Sequence, residues 1–207
     1  MGTPLAEVID SIGGGPITRR TVAVMSGVSN PLLTADHLDT PLSYEAMVDA
    51  GSGLGAAGFI VFDQSSDLVA VAQGVARFLA VESCGQCTPC KQDGLAIADR
   101  LDHLRRNDAG PEAVTELEDR LATVADGARC FLATQQQLVV GSVLSSFGEA
   151  VAAHAEGSAE TAEAELIAAI VDIVDDEAVL DTDHRTKQPD WTHDPEDSGR
   201  APADSGL

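Results

Sequence analysis

The chemistry in this sequence lies in its cysteines. Cys84, Cys87 and Cys90 form a C-x2-C-x2-C run, Cys84-Gly85-Gln86-Cys87-Thr88-Pro89-Cys90, and Cys130 follows 40 residues later. With four cysteines in the chain, none is left over. Three thiolates at this spacing can wrap one corner of a cubane without a regular helix or strand. A distant fourth can tie the remaining iron to another part of the fold. Gly85 suits the loop because glycine tolerates a positive φ. Pro89 fixes φ before Cys90 and is expected to keep Thr88 extended. Helix N-termini after Cys90 and Cys130 could aim N–H groups at the sulfurs, raising a cluster's potential by stabilising its more negative reduced form. The reading is a 4Fe-4S cluster on Cys84, Cys87, Cys90 and Cys130. Two alternatives stay open, a structural zinc and uncoordinated thiols. Four-cysteine zinc sites usually use two separated C-x2-4-C pairs, whereas these cysteines divide three and one. A thioredoxin-type C-x-x-C would need a surrounding βαβ pattern, which is not found.

The elements that must position these residues can be read from periodicity. Residues 3–13 fit a short amphipathic helix, with Thr3 as N-cap, Pro4 at the first position and Leu5, Val8, Ile9 and Ile12 on one face. Residues 21–25 and 58–63 read as strands, and 43–48 as another short helix. From residue 65 the pattern is helical. Ser66 or Asp67 can cap a helix through Val81. Further helices are expected over 94–106, 111–125 and 133–154, with a break at Asn107-Asp108-Ala109-Gly110-Pro111. Four helices with short loops suggest a small bundle. Residues 155–164 look like a linker and 165–180 carry one more apolar stretch. Residues 181–207 have the composition of a disordered tail.

The 207 residues suffice for one sizeable domain or two small ones. An apolar fraction of 44% allows a core, and an aromatic fraction of 3% means Ala, Val, Leu and Ile must build it. The net charge of −22 argues against nucleic acid and against anionic membrane surfaces. Residues 151–207 hold 15 acidic and 3 basic side chains, so more than half of that excess sits in a solvated tail. Lys91 and Lys187 are the two lysines. Such a surface suits a salt-rich cytoplasm, and codon bias plus an acidic tail would explain it as well. Neither a signal peptide nor a spanning apolar run is visible, so the expected location is cytoplasmic and peripheral to any membrane complex, with no direct membrane insertion. A reducing compartment favours metal or redox chemistry over disulfides.

Other candidate motifs are weaker. Gly53-Leu54-Gly55-Ala56-Ala57-Gly58 matches G-x-G-x-x-G, but it follows a helix and opens a strand, the reverse of a dinucleotide site. Gly13-Gly14-Gly15 lacks the lysine of a P-loop. His37, His103, His154, His184 and His193 have no metal-ligand spacing and read as single surface residues. Glu82 and Ser83 could bond the cysteine loop or simply end a helix. No catalytic triad or paired-carboxylate arrangement is found, so no catalytic residue is expected.

Glu82-Ser83-Cys84-Gly85-Gln86-Cys87-Thr88-Pro89-Cys90-Lys91-Gln92-Asp93-Gly94 resembles the cluster motif of the NADH-oxidising flavoprotein subunit of respiratory complex I and its relatives in NAD-linked hydrogenases and formate dehydrogenases. The family pattern is E-S-C-G-x-C-x-P-C-R-x-G with a fourth cysteine about forty residues on. Cys84, Cys87, Cys90 and Cys130 match its ligand positions, and Lys91 stands for the usual Arg. Upstream, Gly2-Thr3-Pro4-Leu5, Leu42-Ser43-Tyr44 to Ser52, and Gly55 with Phe59-Ile60-Val61-Phe62-Asp63 are similar to the family's small β-grasp domain. The resemblance covers about residues 2–150. It implies an α+β fold: a partial β-grasp (SLBB-like) segment at 1–63, a four-helix 4Fe-4S domain at 64–154, and an acidic linker and tail at 155–207. The family's FMN- and NADH-binding domain has no counterpart here, and neither do the first β-grasp strands. FMN and NADH are therefore expected on a partner chain, with a second iron–sulfur protein, such as a 2Fe-2S one, as acceptor. The rivals are a metal-stabilised interaction domain and a fragment of a longer flavoprotein subunit.

Overall fold

The computed structural model describes residues 2–16 and 20–192, and mixes helices with small antiparallel sheets. The chain starts with α1 (Leu5–Glu7), which widens into a π-helical turn, Val8–Ile12. Leu5 and Ile9 are buried, but the wider turn swings Ile12 off their face, and it is 76% exposed. Pro4 occupies the N-cap position, with no side-chain cap bond. Strand β1 (Thr21–Ser26) lies between β2 (Leu33–Thr34) and β3 (Phe59–Asp63), both antiparallel to it. Between them runs α2 (Tyr44–Asp49), capped by the Ser43 hydroxyl, which accepts from the Ala46 N–H at 3.1 Å.

The sheet is covered on both sides because β1 alternates its side chains. Val24, with Leu33, packs under Leu5, Ile9, Met47 and Leu54. Ala23 and Met25, with Phe62, face the helices that follow. Segments 1–63 and 64–154 thus share one core. A buried hydrogen bond, Leu32 N–H to Ser142 Oγ at 3.0 Å, links them. The 53–58 glycine run packs against this sheet: the Ser26 hydroxyl donates to the Leu54 carbonyl, and Gly53 and Gly55 lie against Asn30.

Helices α3 (Leu68–Val81), α4 (Thr88–Arg105), α5 (Glu112–Thr123), α6 (Leu132–Ser146) and α7 (Gly148–Ala155) form the rest of the core. Asp67 caps α3 by accepting from the Ala70 N–H at 2.8 Å. Two expectations change here. Helix α4 begins at Thr88, inside the cysteine run, with Pro89 in its first turn. Proline needs no N–H there, and its φ suits a helix as well as a turn. Thr88 is therefore helical rather than extended. The helix expected over 133–154 is instead two, α6 and α7, bent by 85° at Phe147. The bend turns Val151 and Ala155 back into the core. Among the described residues no single helix is long and apolar enough to cross a membrane.

Residues 155–192 also differ from the expected linker and tail. The chain turns back over α3 and α4, where Arg105 and Asn107 donate to the carbonyls of Ala162 and Ala159. It then passes so close to α3 that Gly74 has no room for a side chain: a Cβ there would sit 2.4 Å from the Glu165 carbonyl oxygen. Gly→Ala in a helix interior ordinarily stabilises by up to about 1 kcal/mol. Gly74→Ala is expected to do the reverse, losing roughly 1–2 kcal/mol in chemical denaturation because backbone must move. A gain in stability would show that residues 162–167 do not lie there. Beyond this crossing, β4 (Ile170–Val174) and β5 (Glu177–Leu180) make a hairpin whose apolar side chains are largely exposed. Short 3-10 turns at Thr182–Arg185 and Asp190–Thr192 follow where the tail expected at 181–207 begins, and its remainder, 193–207, lies outside the described residues.

Candidate iron–sulfur site

The four cysteines meet at one place. Cys84, Cys87, Cys90 and Cys130 all line a cavity of about 80 Å3, closed beneath by Ala128, Leu132 and Ala133. Three features of local sequence put them there. Helix α3 ends at Val81 and delivers Ser83 and Cys84 into a tight loop, in which Gly85 takes a φ of 70°. Cys87 is the N-cap residue of α4, with extended backbone, and Cys90 is in that helix's first turn. Cys130 lies between α5 and α6, two residues before α6 begins. The loop carrying Cys130 is tied to the C-x2-C loop by Arg129, which donates to Gln86 Oε1 at 3.0 Å.

The electrostatics of Cys90 follow from burial and from the neighbouring sulfurs. Burial pushes the Cys90 thiol above its ordinary range, and the charges of Cys130, Cys87 and Cys84 push it further. Cys90 thus feels all three other cysteines. Four thiolates so close together would repel one another unless a cation lay between them. The positive ends of α4 and α6, with 18 and 15 residues, both meet this cavity, so the helix dipoles offset part of that charge. Cys84 and Cys130 are exposed, while Cys87 and Cys90 are half-buried, so the site opens on two edges.

The donor set is all sulfur, which suits an iron–sulfur cluster or zinc and not an oxygen-seeking ion. Among the described residues, no three His, Cys, Asp or Glu side chains converge as ligands of one ion. That fact and the shared cavity are compatible for a cubane, which offers a separate iron to each thiolate. The residues present therefore fit a cluster.

Polar contacts tie the helices together behind the site. Gln136 on α6 donates from Nε2 to the Gly94 carbonyl on α4 at 3.0 Å, and Arg120 on α5 pairs with Asp93 on α4 at 2.9 Å. Sequence reasoning placed the four cysteines but missed these supports. For Glu82 and Ser83 it left two readings open, bonds to the cysteine loop or a plain helix end, and both residues take part in contacts. Ser83 Oγ accepts from Trp191 Nε1 at 3.1 Å, and Glu82 meets Lys187 at 2.6 Å and His184 at 3.3 Å. The Lys187 hydrogen bond holds the Glu82 carboxyl below its usual range against the opposing effect of burial, and the same bond holds the Lys187 ammonium above its own.

His154 and His184, expected on the surface, are buried. His154 is 1% exposed and bridges Asp67 and Asn107, both at 2.7 Å, while the His184 ring stacks on Phe78 with centroids 5.1 Å apart. No spacing rule could have found these contacts, because their partners lie 47 to 106 residues away in sequence.

Comparison with known proteins agrees with the site. Residues 70–154, which hold all four cysteines, match the NADH-ubiquinone oxidoreductase-F iron-sulfur binding region. This stretch belongs to that family. The F subunit of NADH-quinone oxidoreductase in Mycobacterium tuberculosis H37Rv is 32% identical over 158 residues, covering 76% of this chain and 36% of the relative. The corresponding F 2 subunit of Rhizobium meliloti is 37% identical over 120 residues, 57% of this chain and 28% of the relative. The NADP-reducing hydrogenase subunit HndC of Solidesulfovibrio fructosivorans is 30% identical over 75% of this chain and 32% of its own length. Among solved structures, an NAD+-reducing [NiFe]-hydrogenase in the H2-reduced state superposes with a TM-score of 0.64 at 28% identity, over 74% of this chain and 26% of that one. The chain therefore spans about a third of the length of the relatives it matches. The match to the iron-sulfur binding region ends at residue 154, before the segment that folds back over α3.

Proposed function

We propose that Cys84, Cys87, Cys90 and Cys130 hold one 4Fe-4S cluster, and that the chain works as an electron-transfer module of an NADH dehydrogenase-type complex. The observation that carries this reading is the single cavity ringed by all four thiolates. Such a cluster supplies a one-electron carrier when bound. The chain's own residues do the rest. Ala128, Leu132 and Ala133 keep water from the inner side of the site. The N-termini of α4 and α6 lie at the cavity, and their positive dipole ends favour the more negative, reduced state. The exposed edges at Cys84 and Cys130 leave short routes for electrons in and out. A flavin on a separate NADH-binding subunit is the proposed donor, and a further iron–sulfur protein, such as a 2Fe-2S one, the acceptor. The proposed setting is cytoplasmic, peripheral to a membrane-bound complex. We also propose the β-grasp (SLBB-like) relationship for segment 1–63 and an iron–sulfur helical bundle for 64–154.

Anaerobic reconstitution with iron and sulfide tests the reading. A brown protein whose visible absorbance bleaches with dithionite supports it, and a colourless protein rejects it. A second reading has one observation in its favour. The 170–180 hairpin exposes Ile170, Val171, Ile173 and Val174 by more than half, as a metal-stabilised interaction domain would. Purified protein with one zinc per chain and no visible absorbance would favour that reading instead.

A further inference from the structure

The segment after the hairpin returns to the cysteine loop from outside. Arg77 on α3 donates to the carbonyls of Arg185 and Lys187, both at 2.9 Å, and so fixes the path of the chain there. The path brings Trp191 onto the loop itself. Its indole lies against Gly85 so closely that a Cβ on that glycine would be 2.4 Å from the ring. Its Nε1 donates to Ser83, the residue before the first cysteine. Lys91, the residue after the third cysteine, stands over the ring with its ammonium 4.3 Å from the centroid. One side chain therefore touches the residues that flank the cysteine run at both ends, and the glycine within it.

Nothing in the local sequence around Trp191 requires that position, and residues 184–192 lie beyond the part matching the iron-sulfur region. The polar composition of the segment, with Arg185, Lys187, Gln188 and Asp190, would favour solvent, so its docking must come from these specific contacts. Trp191 does not line the cavity; the loop lies between the two.

We propose that residues 184–192 form a strap that clamps the cysteine loop in its ligand-holding shape, with Trp191 as a positioning residue. The proposal rests on the cluster reading above. A loop that must open to lose iron has to break the indole hydrogen bond and the Lys91 contact first. The strap also covers the outer side of the loop at Gly85, while Cys84 and Cys130 stay exposed.

The test uses the full chain, loaded anaerobically, and follows iron release to the chelator bathophenanthroline in excess. Trp191→Ala is expected to release iron on the order of tenfold faster than the natural chain, the scale of one lost hydrogen bond plus one lost cation–π contact. Trp191→Phe keeps a ring against Gly85 and under Lys91 without the donor to Ser83, so its rate is expected between the two. Helix content by circular dichroism is expected to be the same in all three. Equal release rates in the natural chain and Trp191→Ala would overturn the clamp while leaving the cluster reading intact. A natural chain that takes up no iron would instead overturn the cluster reading, and the clamp with it. Trp191 is the chain's single tryptophan, so its emission gives an independent readout. Emission quenched in loaded protein and recovering as iron leaves is expected; emission indifferent to loading would place the indole away from the loop and overturn the proposal.

Discussion

Cys90→Ala is expected to abolish cluster binding, lowering iron from about four per chain to below about one. Among the four cysteines this one is the most constrained. It is half-buried, packs against the main core, and sits in the first turn of an 18-residue helix. A neighbour cannot swing in to replace it, because Cys84 and Cys87 belong to a loop whose shape is fixed by Gly85 at its positive φ. Metal binding also contributes to folding wherever the unfolded chain has no site. The variant is thus expected to melt at the temperature of the metal-free natural chain, below that of the loaded one. Iron and sulfide assays with thermal melts check both statements. A variant that kept four irons per chain would mean that Cys90 is not a ligand.

His154→Ala is expected to cost about 3 kcal/mol, the range for breaking a buried pair by removing one partner. The ring is 1% exposed and bridges two anchors from different parts of the chain. Nε2 meets Asp67, which caps α3, and Nδ1 meets Asn107, at the end of α4. Asn107 commits its amide to the carbonyl of Ala159, so it presents its oxygen to the ring. The network therefore fastens α3, α4 and α7 together. Alanine would leave Asp67 and Asn107 without this partner and leave a cavity as well. Asp67 is 28% exposed and can regain some water, so the low end of the range applies. Urea denaturation of the metal-free protein measures the effect without interference from cluster loss. A cost under about 1 kcal/mol would show that the ring is not held in this network.

These two residues show where sequence reading succeeds and where it stops. That Cys84, Cys87 and Cys90 gather at one cavity was legible in their local spacing, and that Cys130 joins them because the sequence has no fifth cysteine to compete with it. Strands β1 and β3 and helices α2 and α3 were legible for a similar reason, since each has a local periodic pattern and α2 and α3 have a capping residue. The start of α4 was not, because Pro89 fits both an extended turn and the first turn of a helix. Packing decides between them: Ile97, Leu101 and Leu104 are buried on α4 beyond it, and they set the helix's direction. The bend between α6 and α7 was hidden because residues 133–154 contain no proline, and Gly148 alone does not announce an 85° turn. His154 looked like a surface residue since its partners lie 47 and 87 residues away. Trp191 looked like part of a tail because its partner Ser83 is 108 residues away. Long-range contacts made by polar side chains leave no periodic trace.

The central claim is a single reducible cubane on four cysteines. The most direct test is electron paramagnetic resonance on anaerobically purified chain before and after dithionite, with iron and acid-labile sulfide assayed on the same sample. The account predicts about four irons and four sulfides per chain, no signal as isolated, and an S = 1/2 signal that appears only on reduction. Zinc in place of iron, or no metal after careful reconstitution, would contradict it.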